Sequence, residues 1–200
     1  VPELSSYPLM DDATARHLLR NYLRDYIGLA QPAGAAVQLD TPTWRANPDW
    51  GHKIGYSPAE LHRVNLDSVA LLAAMRDEAG LSQFLISGCI GPQGDGYVAG
   101  ERVDPDVAAK YHQPQVDAFA EGGVDIVTAL TLTGPEEAIG IVRASRAAGL
   151  PVAVSFTVET DGRLPDGSLL SAAIELVDAE AAPDYFMVNC AHPTHIGAGL

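Results

Sequence analysis

The stretch DYFMVNCAHPTH, residues 184–195, sets one thiol and two imidazoles just beyond a short apolar run. Residues 185–188 read as a buried strand, and Asn189, Cys190, His192 and His195 follow it. Thiolates and imidazoles are metal-ligand types, so the first chemistry this spacing suggests is a metal centre. Cys190, His192 and His195 could form a local site, but they straddle a strand end and a proline, where histidines more often cap a helix or face solvent. Cys190 taken alone also fits a small packed hydrophobe, as free cysteine often is. Cys89, the other cysteine, reads as a packing residue, and two cysteines in 200 residues do not make a disulfide scaffold.

Such residues need elements to position them, and the chain supplies a regular alternation. Apolar runs at 35–40, 83–88, 125–132, 151–158 and 184–190 read as strands. Between and around them lie helical patterns. Leu18, Leu19, Tyr22, Leu23, Tyr26 and Ile27 recur at helical spacing over 12–29. SPAELHRVNLDSVALLAAMRDEAG starts with a Ser N-cap, Pro, and Glu at the third position, and ends on Gly. Asp104 caps the next helix, in which Pro114 is a candidate kink. The strands are nearly continuous in apolar residues, as strands covered on both faces are. Repeated strand–helix units predict a parallel sheet, either doubly wound or a (β/α)8 barrel.

The polar residues favour the barrel. Thr41 and Thr43, Ser87 and Cys89, Thr131 and Thr133, Thr157 and Glu159, and Asn189 and Cys190 all sit where a strand stops. Polar groups gathered at the carboxyl ends of successive strands are the active face of a barrel. No GxGxxG opens a helix after a strand, and the Gly-rich GPQGDGYVAG lacks the Lys-Ser/Thr of a phosphate loop. That segment reads as a long loop over the active face. The fold expected is therefore α/β, a (β/α)8 TIM-type barrel with about five of its strands present. Residues 1–200 read as one domain lacking the first strand and the last two.

A net charge of −14 with dispersed acidic groups argues against nucleic acid, which needs clustered Lys and Arg. No apolar run is long enough to span a membrane and no secretory signal is seen, so a cytoplasmic protein is the expectation. Tyr111 and His112 read as structural residues on the outside of the barrel, and Glu159 and Asp161 as a surface loop. Asp40, Thr41, Thr43, Trp44 and Arg45 follow the first apolar run and are candidates to line a pocket. Trp44 or Trp50 could offer an aromatic face to a cation.

Several segments resemble, in order, the homocysteine S-methyltransferase family. They are LDTPTWRANPDWGHKIGYS, ISGCIGPQGDGY, YHQPQVDAFAEGGVDI, VSFTVETDGRLPDGSLLSAAI and VNCAHP, spanning about residues 30–195. The resemblance implies a (β/α)8 barrel and a zinc ion held by three thiolates. Cys190 would be one ligand; the other two would come from a Cys-Cys pair that this sequence does not contain. It implies a small-molecule thiol and a methyl donor as partners, giving methionine, and so a place in methionine biosynthesis. Thr41, Thr43, Trp44 and Asn189 would bind substrate, Asn189 alternatively orienting the zinc site. A homo-oligomer is compatible with this reading. Zinc chemistry suits the reaction, because a free thiol is mostly protonated at pH 7 while a zinc-bound thiol is deprotonated.

One departure concerns the acceptor. Leu130 stands where many members carry a Glu that contacts the substrate's amino group, and a Leu cannot pair with an ammonium. The acceptor would then be homocysteine held by another group, or another thiol. Two rivals stand beside this reading. A Schiff-base lyase needs a strand lysine, and Lys53 and Lys110 read as loop and helix. A metal-free or catalytically inactive barrel homologue that binds a small molecule is the other.

Overall fold

In a computed structural model, which describes residues 2–100 and 102–199, five strands form one parallel sheet. They are β1 (Val37–Asp40), β2 (Phe84–Ile90), β3 (Ile126–Leu132), β4 (Val152–Phe156) and β5 (Tyr185–Val188). Their spatial order is their chain order, β1-β2-β3-β4-β5. Registers run from Val37 beside Phe84 to Phe156 beside Val188. The helices are α1 (Ala13–Ala33), α2 (Pro48–Lys53), α3 (Pro58–Ala79), α4 (Pro105–Gly122), α5 (Pro135–Ala147), α6 (Leu170–Glu180) and α7 (Pro193–Gly199). Consecutive helices α3 to α6 pack on one another, so they cover one face of the sheet. A doubly wound sheet reverses its strand order and carries helices on both faces. An unreversed order with helices on one side is an arc of barrel wall.

Local chemistry sets the helix limits. Ser57 accepts the Glu60 amide while Glu60 reaches back to the Ser57 amide, closing a capping box on α3. Asp12 and Asp104 cap α1 and α4 through their carboxylates. Gly34, Gly80 and Gly123 end α1, α3 and α4 in the left-handed conformation. Pro114 lies inside α4, which continues to Gly122. The sequence left two short helices unread, α2 and α7, and Lys53, expected in a loop, is the last residue of α2.

The two faces of the sheet differ in kind. A Cβ on Gly88 would lie 2.5 Å from the Phe119 ring of α4, so Gly88 faces the helices. Side chains alternate along a strand, which turns Leu85, Ser87 and Cys89 to the opposite face. The helix side holds the main core, with Ile86, Phe119, Val127, Ile141, Val154 and Phe156 fully buried. On the opposite face Ser87 and Thr128 pair their hydroxyls at 2.6 Å, and Leu85 is 47% exposed.

β5 was expected to be buried and is not: Tyr185 is 40% exposed and its neighbours are half-buried. Among the described residues β5 pairs on one side only, as does β1, whose exposed Gln38 and Asp40 alternate with buried Val37 and Leu39. Residues on edge strands lose the cover that a second neighbour gives. No helix among the described residues is long and apolar enough to cross a membrane.

Candidate functional site

The carboxyl ends of the five strands gather the polar residues singled out above. At the end of β1, Thr41 and Thr43 form a closed ring with β2. The Cys89 amide donates to Thr41 Oγ1 (2.9 Å), Thr43 Oγ1 donates to the Cys89 carbonyl (2.9 Å), and the two hydroxyls meet at 2.6 Å. Each hydroxyl has one proton, so Thr41 must donate to Thr43. Both threonines are buried, and their hydrogens are turned to backbone and to each other. Gln115 of α4 braces the same turn from below, its amide donating to the Thr43 carbonyl at 3.0 Å. Burial pushes the neighbouring Cys89 thiol well above its ordinary pKa, in keeping with a packed residue.

Trp44 crosses the mouth. Its indole N–H donates to the Leu130 carbonyl of β3 at 3.1 Å. A Cβ on Gly91 or Gly96 would collide with the indole, so the Gly-rich loop 91–100 lies directly on Trp44. Trp50 already carries two of the protein's own cations over its ring, Arg45 and Lys53, each 3.6 Å from the centroid. Arg45 is 4% exposed and sits also 4.8 Å from the Trp44 ring. Burial lowers its pKa from the ordinary value, against Asp95 and Glu3, which raise it.

At the other end of the arc, one amide ties three strands together. Asn189 Oδ1 accepts from the Thr131 amide (2.9 Å) and from Ser155 Oγ (2.8 Å). Asn189 Nδ2 donates to Thr131 Oγ1 (2.8 Å) and to Cys190 Sγ (3.2 Å). Thr131 has φ 64° and Cys190 φ 55°, left-handed values that are rare for side-chain-bearing residues, above all a β-branched one. Thr131 also marks a register shift between β3 and β4. Such strain persists where surrounding bonds over-determine it, and it clusters at functional sites.

Cys190 is exposed, and donors converge on its sulfur. Besides Asn189, the Tyr97 hydroxyl of the Gly-rich loop lies at 3.6 Å and Thr131 Oγ1 at 3.9 Å. The bond to Cys190, then burial, raises the Tyr97 pKa above the ordinary tyrosine value. Tyr97 and Ser155 were not among the residues singled out in the sequence. An aromatic within a glycine-rich loop was the available signal for the first; nothing local distinguished the second.

Other expectations can be placed. The His192 and His195 rings lie with centroids 5.7 Å apart, tilted by 56°, and His192 Nδ1 pairs with Thr194. Among the described residues no three His, Cys, Asp or Glu side chains are grouped to hold a metal, so Cys190, His192 and His195 do not form a local site. Cys190 is exposed with hydrogen-bond donors around it, and the described residues bring no second candidate ligand to it. His112 of α4 is 1% exposed and bonds Glu137 of α5 at 2.9 Å. Glu137 in turn accepts the Gln93 amide, while Tyr111 bonds Asn47, so the pair supports the loops of the mouth. Glu159 and Asp161 are exposed in the loop after β4. Beside the mouth lies an open groove of about 640 Å³, edged by Trp50, Lys53, Asp95, Arg102, Glu136 and Asp166.

Comparison with known proteins bears on this arrangement. A profile of the homocysteine S-methyltransferase family matches residues 3–200. A search of curated proteins finds no match. Among solved structures, the metallated form of the homocysteine methyltransferase MmuM from Escherichia coli superposes with a TM-score of 0.78 at 21% identity, over 97% of this chain and 69% of that one. The oxidized form gives 0.77 at 23% identity, over 92% and 65%. The apo form gives 0.70 at 21%, over 98% and 68%. The chain thus spans about two-thirds of the length of these structures, and its five-stranded sheet corresponds to a fragment of their barrel-type fold. From the profile match over nearly its whole length, the chain belongs to the homocysteine S-methyltransferase family, a family of methyltransferase enzymes.

Proposed function

We propose that this protein is a zinc-dependent S-methyltransferase that passes a methyl group from a small sulfonium or ammonium donor to a thiol such as homocysteine, giving methionine. The observation that carries the proposal is Cys190, exposed at the end of β5, held in a left-handed conformation and faced by the donors of Asn189, Tyr97 and Thr131. Cys190 would be one zinc ligand; a bound zinc ion would supply a deprotonated substrate thiol. In the transfer, the acceptor sulfur forms a bond to the methyl carbon. The donor's C–S or C–N bond breaks, the donor leaves neutral, and the thiol proton goes to solvent. The residues of this chain orient the reactants: Asn189 fixes the Cys190 sulfur, and Trp44, with the Gly-rich loop lying on it, borders the mouth.

Residues 1–200 act in this reading as a single barrel-type domain with no nucleic-acid partner, working in the cytoplasm on small molecules. Thr41 and Thr43 contribute by fixing the β1 turn, and Trp44 and Asn189 stand nearest the chemistry. The test is bound zinc by elemental mass spectrometry together with methyl transfer to homocysteine, on the wild type and on Cys190→Ser. Loss of both in the variant is expected. Transfer that survives in Cys190→Ser sinks the proposal. The absence of a three-residue metal cluster among the described residues favours one alternative, a metal-free homologue that binds a small molecule without turnover. Binding without transfer and without zinc would select it.

A further inference from the structure

Arg45 is a buried cation without a matching acceptor among the described residues. Its side chain is 4% exposed, and its Nε is buried with no hydrogen-bond partner among the described residues. The nearest described carboxylate, Asp95 Oδ2, lies 3.9 Å from Nη2 and belongs to a side chain 48% exposed on the Gly-rich loop. An arginine taken this far from water is ordinarily paired bidentately, because its planar fork of five donors matches a carboxylate. Here the guanidinium carbon is held over the Trp50 ring at 3.6 Å, a contact that uses none of its N–H donors, and Nε has no acceptor among the described residues.

Its place in the site gives those donors a purpose. Trp44, the adjacent residue, bonds β3 one residue from Thr131, which faces Cys190. Asp95 and Tyr97 are two residues apart on the loop, and Tyr97 touches the Cys190 sulfur. Trp50 also carries Lys53, a second cation, which borders the open groove. We propose that Arg45 is the receptor for a substrate carboxylate, held bidentately at the mouth beside Cys190, with Asp95 as the loose carboxylate neighbour it has otherwise. The choice of ligand rests on the methyl-transfer reading above. An amino-acid acceptor and a betaine-like donor both carry that group. The receptor also supplies what Leu130 does not, a charged handle on the substrate.

The experiment is calorimetric titration of the full chain with two pairs: homocysteine against homocysteine amide, and trimethylammonioacetate against choline. One pair is expected to show the carboxylate form binding about tenfold tighter or more, the scale of a charge-assisted hydrogen bond. That pair identifies whose carboxylate it is. Arg45→Met should abolish the preference, and Arg45→Lys, with charge but no fork, should keep part of it. The comparison within wild type is independent of how the variants fold, which their melting temperatures report. Equal affinities within both pairs, no binding by any of the four compounds, or a preference unchanged in Arg45→Met overturns the receptor. A methyl-transfer assay separates the two ideas. An Arg45-dependent preference without transfer keeps the receptor and removes the methyltransferase, whereas transfer without any preference does the reverse.

Discussion

Asn189 offers the sharpest test of how the site is held. Replacing it with Ala removes the acceptor of the Thr131 amide and of Ser155 Oγ, and the donor to Thr131 Oγ1. Thr131 and Ser155 are 2% and 0% exposed, so their donors lose their partner inside the protein. A buried donor left without an acceptor costs about 1–3 kcal/mol. Asn189 itself is half-buried, so water entering the vacated space recovers part of this. The expected loss for Asn189→Ala is therefore about 2–4 kcal/mol, in the middle of which a domain of this size melts roughly 6–12 °C lower. Asn189→Asp keeps the acceptor oxygen and should cost less. Urea unfolding measures both, and a cycle with Ser155→Ala should fall short of additivity by about 1 kcal/mol, since one bond is removed twice. Additive losses, or an Asn189→Ala protein within about 0.5 kcal/mol of wild type, would refute the claim that this amide holds the three strands.

Three further outcomes are expected. Gly88→Ala drives a methyl group to 2.5 Å from the Phe119 ring of the core, and urea unfolding should show a loss of about 1–3 kcal/mol from overpacking. Thiol titration of the native chain should count one reactive cysteine, the exposed Cys190, and two only after unfolding, because Cys89 is buried with its pKa raised. Asp11 concerns acid stability: burial raises its pKa, but the Tyr56 hydroxyl and Arg63 outweigh this and hold it below the ordinary carboxylate value. A lowered folded-state pKa means a stabilisation present above the ordinary carboxylate range and lost as pH falls through the lowered value. Unfolding midpoints against pH should show that acid limb flattened in Asp11→Asn.

Much of the scaffold could be read before the structure. Apolar runs flanked by capped helices mark β2, β3 and β4, because strands covered on both faces leave an unbroken apolar signal. The Ser57–Glu60 pair announced the start of α3, and the clustering of Asn189 and Cys190 at a strand end pointed to the face where Thr131, Ser155 and Tyr97 gather. What escaped depended on distance along the chain or on shape. Ser155 is an ordinary strand serine until Asn189, 34 residues away, bonds it. Thr131 shows in the sequence as a strand residue, and its left-handed turn arises only from what holds it. The cations on Trp50 come from a turn and from α2, a helix too short to leave a periodicity. β5 misled because four apolar residues look alike in the middle of a sheet and at its edge.

The unreversed strand order has a consequence for how the chain folds. Each strand pairs only with its predecessor and successor, so every sheet contact is closed by one intervening strand–helix unit. The chain never has to bring distant segments together to start a sheet, and the entropy of loop closure stays small and similar at each step. Growth from a central seed is the natural course. β3 and β4, with α5 packed across them, carry a fully buried apolar layer that includes Val127, Ile141, Val154 and Phe156. Folding on this plan spreads outward from that seed toward β1 and β5. Hydrogen exchange should find its slowest amides in β3 and β4 and its fastest strand amides at the two rims, with protection declining in the order in which the units join.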